Sequence, residues 1–273
     1  MAMTFIDDLG LAHDIVEHPR ILSLVPSITE LLFDLDLAKQ LVGRTQYCIH
    51  PSEHVAAVPS VGGTKKINMS RVQEFAPTHA IMNIDENPKS MADDLGQMGI
   101  DVITTHPMRP EDNLGLYQLI GGVFDRQDQA TRLADEFRTA MDALSPSDND
   151  PSKRVLYLIW QDPWMAVSAD TYIANTLSLV NWHIATPGVI DGQTGDAASY
   201  PKIDITNVGL ENIDLVLFSS EPYSFTEDHI SAFQSSFPDH GHKAHIIDGE
   251  MTSWYGSRAI QGLRYLREFA DRL

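Results

Sequence analysis

The chain contains little cysteine, few basic residues and no long apolar run. Its single cysteine, Cys48, excludes a disulfide bond within the chain. Nineteen Lys and Arg residues stand against 38 Asp and Glu residues, and the net charge of −19 argues against nucleic acid or an anionic membrane surface as a partner. No segment approaches about 18 consecutive apolar residues, the length that a membrane-spanning helix requires, so we expect no membrane insertion.

Common enzyme motifs are also absent from the sequence. It contains neither the G-x-S-x-G elbow of hydrolases nor the H-E-x-x-H motif of zinc proteases. The glycine-rich segment Gly62-Gly63-Thr64-Lys65 lacks the spacing of a Walker phosphate loop. We therefore expect a protein that is not an enzyme and has no catalytic residues.

The beginning of the sequence gives an expectation about location. The first eight residues are MAMTFIDD, and no apolar segment of about 7–15 residues follows a basic start. The sequence as given therefore predicts a cytoplasmic protein. A leader preceding this sequence would instead indicate the periplasm.

One long amphipathic helix is predicted in the middle of the chain, from Asp125 to Leu144. Its apolar residues recur at the i, i+3, i+4 and i+7 spacing of one buried helical stripe. They are Ala130, Leu133, Ala134, Phe137, Ala140, Met141 and Leu144. A helix of about 20 residues is roughly 30 Å long, which is enough to hold two lobes apart with a cleft between them.

Strands and helices alternate on both sides of this helix, which is typical of parallel sheets built from βαβ units. We therefore predict an α/β protein with two lobes. Its predicted parts are an N-terminal arm or short helix (1–19), a first α/β lobe (20–122), the long helix with a polar linker (123–152) and a second α/β lobe (153–273).

Two local signals predict helix ends in the first lobe. Ser27 and Glu30 have the spacing of a capping box, which predicts that a helix starts there. Gly121 and Gly122 predict the end of a helix that begins at Glu111.

Candidate ligand contacts follow from the rule that ligands bind at the carboxyl ends of the strands in an open parallel sheet. Three of the four tryptophans fall just after predicted strands, where aromatic side chains would offer flat walls to a ring or macrocycle. The alternative interpretation is that each is a core residue near a strand end. The candidates are Pro26, Ser27, Tyr47, Gly63, Thr64, Lys65, Asn87, Trp160, Trp164, Tyr223, Trp254, Tyr255 and Arg258.

Within this set, Lys65 and Arg258 are the candidates to bind peripheral carboxylate or phosphate groups of a ligand. Tyr47, Tyr223 and Tyr255 are the candidate hydroxyl donors. For Arg258 the alternative is a surface ion pair of little value.

A second hypothesis concerns direct metal binding. Cys48, His50 and Glu250 carry the thiol, imidazole and carboxylate groups that suit zinc or another transition metal. The alternative is a buried thiol with a hydrogen-bonded histidine, because free cysteine is among the most buried residue types.

Several segments resemble the class III periplasmic binding proteins, a family that includes the vitamin B12-binding protein and ferric-siderophore receptors. These segments are SLVPSITEL at 23–31, GRTQYCIHP at 43–51, VGGTK at 61–65, SSEPY at 219–223 and GEMTSWYGSR at 249–258. The chain is most similar to a leaderless branch described as helical backbone metal receptors. The resemblance implies two Rossmann-like lobes with parallel sheets joined by a single long backbone helix.

The resemblance also implies the kind of ligand. It places Tyr47, Tyr200 and the Trp254–Tyr255 loop in the interlobe cleft, so Tyr200 joins the candidate contacts. The expected function is a non-enzymatic substrate-binding protein that holds a small-molecule metal complex there, either corrinoid-like, such as cobalamin, or a ferric siderophore or haem. No cofactor is predicted beyond this ligand. The alternatives are a cytoplasmic metal-binding protein or enzyme that uses Cys48, His50 and Glu250, and a partner-binding module without a small ligand.

One departure from the family pattern concerns its transporter partner. Exported members carry an acidic residue on each lobe that pairs with arginines of an ABC permease. The matching positions here are Ser70 and Thr206, although Asp204 or Glu74 lies close by in sequence. The sequence therefore does not predict docking to a permease of this type.

Overall fold

The computed structural model describes residues 3–144, 151–186 and 199–273. Backbone contacts group the chain into two compact units. Unit 1 consists of Met1–Pro107, Glu111–Arg138 and Tyr255–Arg258. Unit 2 consists of Met108–Pro110, Thr139–Trp254 and Ala259–Leu273.

Unit 1 begins with an antiparallel hairpin in place of the predicted arm or short helix. Strand β1 (Thr4–Ile6) pairs with β2 (Ala12–Asp14), so that Phe5 lies opposite His13. Successive side chains of a strand point to opposite faces. His13 is buried, whereas Ile6 on the opposite face is exposed. The hairpin is therefore a packed part of unit 1.

The main sheet of unit 1 has five parallel strands in the order β5-β4-β3-β6-β7. The strands are β3 (Ile21–Ser23), β4 (Leu41–Thr45), β5 (Ser60–Gly62), β6 (His79–Asn83) and β7 (Asp101–Thr105). Strand β6 is buried along its whole length, as expected for a parallel strand covered on both faces. Leu22, Ala80 and Met82 contribute to one core of this sheet.

The N-terminal hairpin covers the outer edge of β7. The Oδ2 atom of Asp7 accepts a hydrogen bond from the backbone N–H of Thr104 at 3.0 Å, and the backbone N–H of Asp8 donates to the carbonyl of Thr104 at 3.1 Å. The Asp8 carboxylate accepts from the backbone N–H of His106. The two aspartates thus satisfy polar groups that an edge strand otherwise leaves open.

Four helices of unit 1 connect and cover these strands: α1 (Pro26–Asp34), α2 (Met69–Phe75), α3 (Lys89–Gln97) and α4 (Asp112–Val123). The predicted long helix is confirmed as α5 (Gln127–Leu144), and its predicted stripe is buried at Ala130, Phe137, Ala140 and Leu144. The boundary between the two units falls within α5, between Arg138 and Thr139.

The predicted capping box at the start of α1 does not form. The N-cap position is Val25, helix α1 begins at Pro26, and no side chain caps the helix. Proline is suited to the first helical turn because its missing N–H would have no partner there. The Glu30 carboxylate, which a capping box needs, instead accepts two hydrogen bonds from Arg258.

The predicted helix end at Gly121-Gly122 is also wrong, because α4 continues through both glycines to Val123. The two positions are glycine because a side chain would not fit at either of them. A Cβ atom on Gly121 would lie 2.5 Å from the Cβ of Ala130 and 3.1 Å from the carbonyl oxygen of Arg126. A Cβ atom on Gly122 would overlap the ring of Phe5. The two glycines allow α5 and the hairpin to approach α4 closely.

Replacing Gly121 with Ala is therefore expected to destabilise the protein by about 1–3 kcal/mol, the usual range for overpacking a well-filled contact. Gly115 is the matched control, because it lies in the same helix and a Cβ atom there would meet nothing within 4 Å. Gly115→Ala should stabilise by up to about 1 kcal/mol through helix propensity. Urea unfolding followed by circular dichroism measures both changes, and equal effects of the two variants would contradict the packing explanation.

Unit 2 contains a second sheet in which β10, β8, β11 and β12 lie side by side and parallel, while β9 pairs antiparallel with β8. The strands are β8 (Lys153–Trp160), β9 (Met165–Ala166), β10 (Trp182–Ile184), β11 (Leu215–Ser219) and β12 (Ala244–Ile247). The helices are α6 (Tyr172–Ser178), α7 (Glu227–Ser236), α8 (Gly249–Ser253) and α9 (Arg258–Ala270), the first residue of which belongs to unit 1.

The core on one face of this sheet is rich in aromatic rings. Phe218 on β11 makes edge-to-face contacts with Phe225 and Phe233, whose ring centroids lie 5.1 and 5.4 Å away. Such contacts fix ring orientation as well as burying area. Among the helices that the structure describes, none is long and apolar enough to cross a bilayer.

Candidate functional site

The carboxyl ends of the five parallel strands of unit 1 meet along one border of its sheet, which we call edge 1. The buried side chain of Asn87 joins three of the segments at this edge. Its Nδ2 atom donates to the carbonyls of Leu24 at 3.2 Å and Thr64 at 3.0 Å, and its Oδ1 atom accepts from the backbone N–H of Asn83 at 2.9 Å. Asn87 therefore fixes the loops after β3, β5 and β6 relative to one another.

Edge 1 presents apolar side chains to solvent. Tyr47 is 55% exposed, Ile49 51% and Ile84 41%, and each follows the end of β4 or β6. The ring of Tyr47 lies against Gly63, where a Cβ atom would be 3.3 Å from the Tyr47 Cε2 atom. Isolated exposed apolar residues are common, and several along one edge of a sheet make that edge a candidate binding surface. The sequence analysis identified Tyr47 and Gly63 and missed both isoleucines.

Charged groups flank this apolar surface. The Lys65 ammonium group donates to the carbonyl oxygen of Asp85 at 2.8 Å. The Nε2 atom of His106 lies 3.4 Å from the Oδ1 atom of Asp85. Lys65 is exposed, and its ammonium group has donors beyond the one used here. Its position is suited to an anionic substituent. His106, which the sequence analysis missed, follows β7 and approaches the carboxylate of Asp85 in the segment after β6.

Cys48 lies beneath edge 1 with its thiol fully buried. The hydroxyl of Thr29 donates to its sulfur at 2.9 Å, and the hydroxyl of Thr45 lies 3.1 Å away. Burial raises the pKa of the Cys48 thiol, which disfavours the thiolate that a metal requires. His50 is partly buried.

The part of the chain that the structure describes contains no group of three or more His, Cys, Asp and Glu residues that could hold a metal ion. Cys48 thus has the environment of a packed thiol. Ser27, another candidate of unit 1, is also buried.

Two further candidates of unit 1 are engaged internally. The Tyr255 hydroxyl donates to the Oε1 atom of Glu86 at 2.8 Å, and burial raises the pKa of Tyr255 well above its ordinary value. Arg258 makes a bidentate ion pair with Glu30, with both N···O distances at 2.7 Å. Tyr255 and Arg258 are 7% and 8% exposed. A ligand would have to compete with these bonds.

The parallel strands of unit 2 likewise end along one border, which we call edge 2. Trp160, the last residue of β8, is 39% exposed and makes an edge-to-face contact with Tyr223 at 5.4 Å between ring centroids. The Tyr223 ring is backed by Phe225 at 4.6 Å, and its hydroxyl lies 3.2 Å from the Nε2 atom of His229. Trp160 and Tyr223 form an aromatic surface held by the core beneath it.

Other aromatic candidates of unit 2 are more enclosed. Trp164 stacks on Phe225 with an interplanar angle of 8° and packs against the core. Trp254 is 9% exposed. Tyr200 is partly buried, in a segment whose Pro201 carbonyl accepts from the backbone N–H of Ala166.

A buried carboxylate at edge 2 was missed by the sequence analysis. The Oε1 atom of Glu221 accepts hydrogen bonds from Trp254 Nε1 and from the hydroxyl of Ser253, both at 2.8 Å. Burial, with a contribution from the negative charge of Glu250, raises the pKa of Glu221. Gly249 lies against this side chain, where a Cβ atom would be 2.6 Å from the Glu221 Cγ atom. Its position directly after β11 was the available signal.

The sequence matches the periplasmic binding protein family over residues 21–240. The chain belongs to this family. Its members are substrate-binding proteins, and the two-lobed α/β fold predicted from the sequence is confirmed.

Individual relatives are distant. The chain is 24% identical over 220 residues to a vitamin B12-binding protein of Vibrio parahaemolyticus, covering 79% of this chain and 75% of that protein. Among solved structures, it resembles the periplasmic vitamin B12 binding protein of Vibrio cholerae, with a TM-score of 0.73 and 14% identity over 94% of this chain and all of that one. It also resembles the periplasmic heme binding protein of Vibrio cholerae, with a TM-score of 0.70 and 21% identity over 93% and 99% of the two chains.

The positions matched to the family's transporter contacts differ in environment. Ser70 is exposed on α2. Thr206 donates from its backbone and its hydroxyl to Asp204 Oδ1 at 3.0 and 2.7 Å, and these hydrogen bonds lower the pKa of Asp204. Asp204 is thus an ionised carboxylate at neutral pH in the segment where the family pattern expects an acidic residue.

Proposed function

We propose that the chain is a non-enzymatic substrate-binding protein whose ligand is a metal-bearing macrocycle or chelate: a corrinoid, haem or a ferric siderophore. The names of its relatives support this ligand class, because they include binders of vitamin B12 and of heme. The metal belongs to the ligand in this proposal. A metal centre built by the protein's own side chains is therefore not required.

The observation that carries the proposal is the exposure of flat and apolar side chains at the strand ends of each unit. Edge 1 exposes Tyr47, Ile49 and Ile84, and edge 2 exposes Trp160 beside Tyr223. A macrocycle buries large apolar faces, and ligand sites are lined mainly by hydrophobic and aromatic groups with few polar ones. Burying apolar area contributes about 25 cal/mol per Å².

The polar groups at edge 1 complement this ligand class. Corrinoids and haem carry amide, phosphate or carboxylate substituents around a flat ring. Lys65 offers an ammonium group for an anionic substituent, and Tyr47 offers a hydroxyl. At edge 2, Tyr223 offers a hydroxyl next to the Trp160 ring.

Binding is tested by titrating the purified chain with cyanocobalamin, dicyanocobinamide, hemin and a ferric siderophore, using calorimetry and the visible absorption of each ligand. We expect one of them to bind with a Kd in the micromolar range or tighter. Failure of all four to bind at 100 µM, a concentration chosen as about 100 times a micromolar Kd, would overturn the proposal.

Trp160→Ala is expected to weaken binding of that ligand at least tenfold, about 1.4 kcal/mol, because it removes the exposed ring of edge 2. Met98→Ala is the matched control. Met98 is also 39% exposed, but it precedes β7 and so lies at the amino ends of the strands in unit 1. If the two variants bound the ligand with equal affinity, the Trp160 ring of edge 2 would not be part of the ligand site.

A further inference from the structure

Unit 2 contains a cavity of about 360 Å³ whose lining includes none of the side chains described at edge 2. It lies beside β12, the last strand of the sheet, and between helix α7 and the end of the C-terminal helix α9. Its volume is within the range of about 300–1,000 Å³ that is usual for small-ligand sites. The lining residues are Glu227, Ile230, Gln234, Ala244, His245, Ile246, Phe269, Arg272 and Leu273.

The floor of the cavity is apolar. Ile230 of α7, Ala244 of β12 and Phe269 of α9 are each less than 8% exposed. Ile246 is half-buried and packs against the same core as Ile230. An apolar group that enters the cavity therefore meets side chains that the fold already holds in place.

Among the described strands, β12 pairs with β11 alone, and its other edge supplies backbone groups. The carbonyl of Ile247 accepts from the backbone N–H of Ser220, which follows β11, so the peptide groups of Ile247 point into the sheet. Successive residues of a strand alternate, so those of Ile246 point away from β11 and toward the cavity side. They can pair with the polar backbone of a bound molecule.

One acidic and one basic side chain lie at the rim of the cavity. Glu227 is in the first turn of α7, and the guanidinium of Arg272 lies 5.4 Å above the centroid of the Phe269 ring. Within the described residues, neither side chain has an ion-pair partner. Burial, followed by the charges of Lys153 and His242, lowers the pKa of His245, so this ring is neutral at pH 7. The lining thus includes a carboxylate, that of Glu227, and a guanidinium, that of Arg272.

We propose that this cavity binds a small zwitterion with an apolar side chain, of the amino acid or dipeptide class. The ligand carboxylate pairs with Arg272, its ammonium group pairs with Glu227, and its side chain lies on Ile230 and Phe269. Arg and carboxylate form two parallel hydrogen bonds, which gives orientation as well as affinity. The cavity shares no lining residue with the exposed side chains that carry the proposed chelate function.

L-Leucine is the probe for the first test, with N-acetyl-leucine and leucine methyl ester as matched ligands that lack the ammonium charge and the carboxylate. We expect L-leucine to bind with a Kd below 5 mM and each derivative to bind at least fivefold more weakly. Chemical shifts of the Ile230 and Ile246 methyl groups locate the site. No binding of L-leucine at 20 mM, or shifts confined to other methyl groups, would overturn the proposal.

Variants on the exposed rim give the second test. Arg272→Met and Glu227→Gln should each weaken L-leucine binding at least fivefold, whereas Arg264→Met, on an exposed position of α9 outside the cavity, should not. All three should leave chelate affinity unchanged. Equal L-leucine affinities of Arg272→Met and Arg264→Met would contradict the assigned carboxylate contact. A loss of chelate affinity in Arg272→Met would contradict the separation of the two sites.

Discussion

Replacing Glu30 with Ala is expected to lower the free energy of unfolding by about 3–5 kcal/mol, because it removes the bidentate carboxylate partner of the largely buried Arg258 guanidinium. The two N···O distances of the pair are 2.7 Å, and the Arg258 and Glu30 side chains are 8% and 15% exposed. A guanidinium removed from water loses its hydration, and in this structure the carboxylate of Glu30 replaces it. Urea unfolding monitored by circular dichroism measures the loss.

The double variant Glu30→Leu/Arg258→Met is the control for this prediction. Replacing both partners of a buried ion pair with apolar residues of similar size is often neutral or stabilising, so the double variant should recover most of the stability. Arg138→Ala removes one partner of an exposed i,i+3 pair with Asp135 and should cost less than about 1 kcal/mol. If Glu30→Ala lowered the free energy of unfolding no more than Arg138→Ala does, burial would not strengthen the Glu30–Arg258 ion pair.

Replacing Asn87 with Ala is expected to destabilise the protein by about 2–4 kcal/mol and to weaken chelate binding at least tenfold. The variant removes the side-chain partner of the buried Leu24 carbonyl, the partly buried Thr64 carbonyl and the buried N–H of Asn83. Each buried group left without a partner costs about 1–3 kcal/mol before relaxation. The loops after β3, β5 and β6 lose the hydrogen bonds through which Asn87 joins them. The positions of Lys65 and Gly63 therefore become less defined. Thermal unfolding and ligand titration measure the two effects.

Asn212→Ala is the matched control for Asn87. The Asn212 side chain makes an exposed hydrogen bond to its neighbour Glu211 at 3.3 Å, so its loss should change stability by less than about 0.5 kcal/mol. Asn87→Asp keeps the size and the acceptor but replaces the donor with a second oxygen that faces the Leu24 and Thr64 carbonyls. It should be as harmful as Asn87→Ala. A fully stable Asn87→Asp variant would contradict the assigned hydrogen bonds.

The elements that sequence reasoning predicted well are those defined by local patterns. Helix α5 begins within two residues of the prediction and ends at the predicted Leu144. The periodic spacing of apolar residues is local in the chain, so it can be recognised without knowledge of packing. The fold class followed from the alternation of such elements.

The features that sequence reasoning missed depend on distant partners. Glu30 has the spacing of a capping residue, but its partner is Arg258, 228 positions away. Gly121 and Gly122 look like a helix stop, but they make room for Ala130 and Phe5. No local pattern distinguishes these alternatives, because both use the same residue types.

The candidate site was likewise predictable only in part from the sequence. The strand-end rule located Tyr47, Lys65, Asn87 and Trp160 at the sheet borders. It could not tell which side chains remain exposed, since Trp160 is 39% exposed whereas Trp254, also near a strand end, is 9% exposed and bonded to Glu221. Exposure depends on tertiary packing and on the polar partners that burial demands.

The aspartates that bond to Thr104 and His106 have a consequence for how copies of this protein behave at high concentration. An uncovered outer strand can template the addition of a strand from another molecule, which leads to aggregation. Because Asp7 and Asp8 take up the backbone groups of Thr104 and the N–H of His106, another strand cannot pair with this part of the β7 edge. The hairpin thus protects the solubility of the chain.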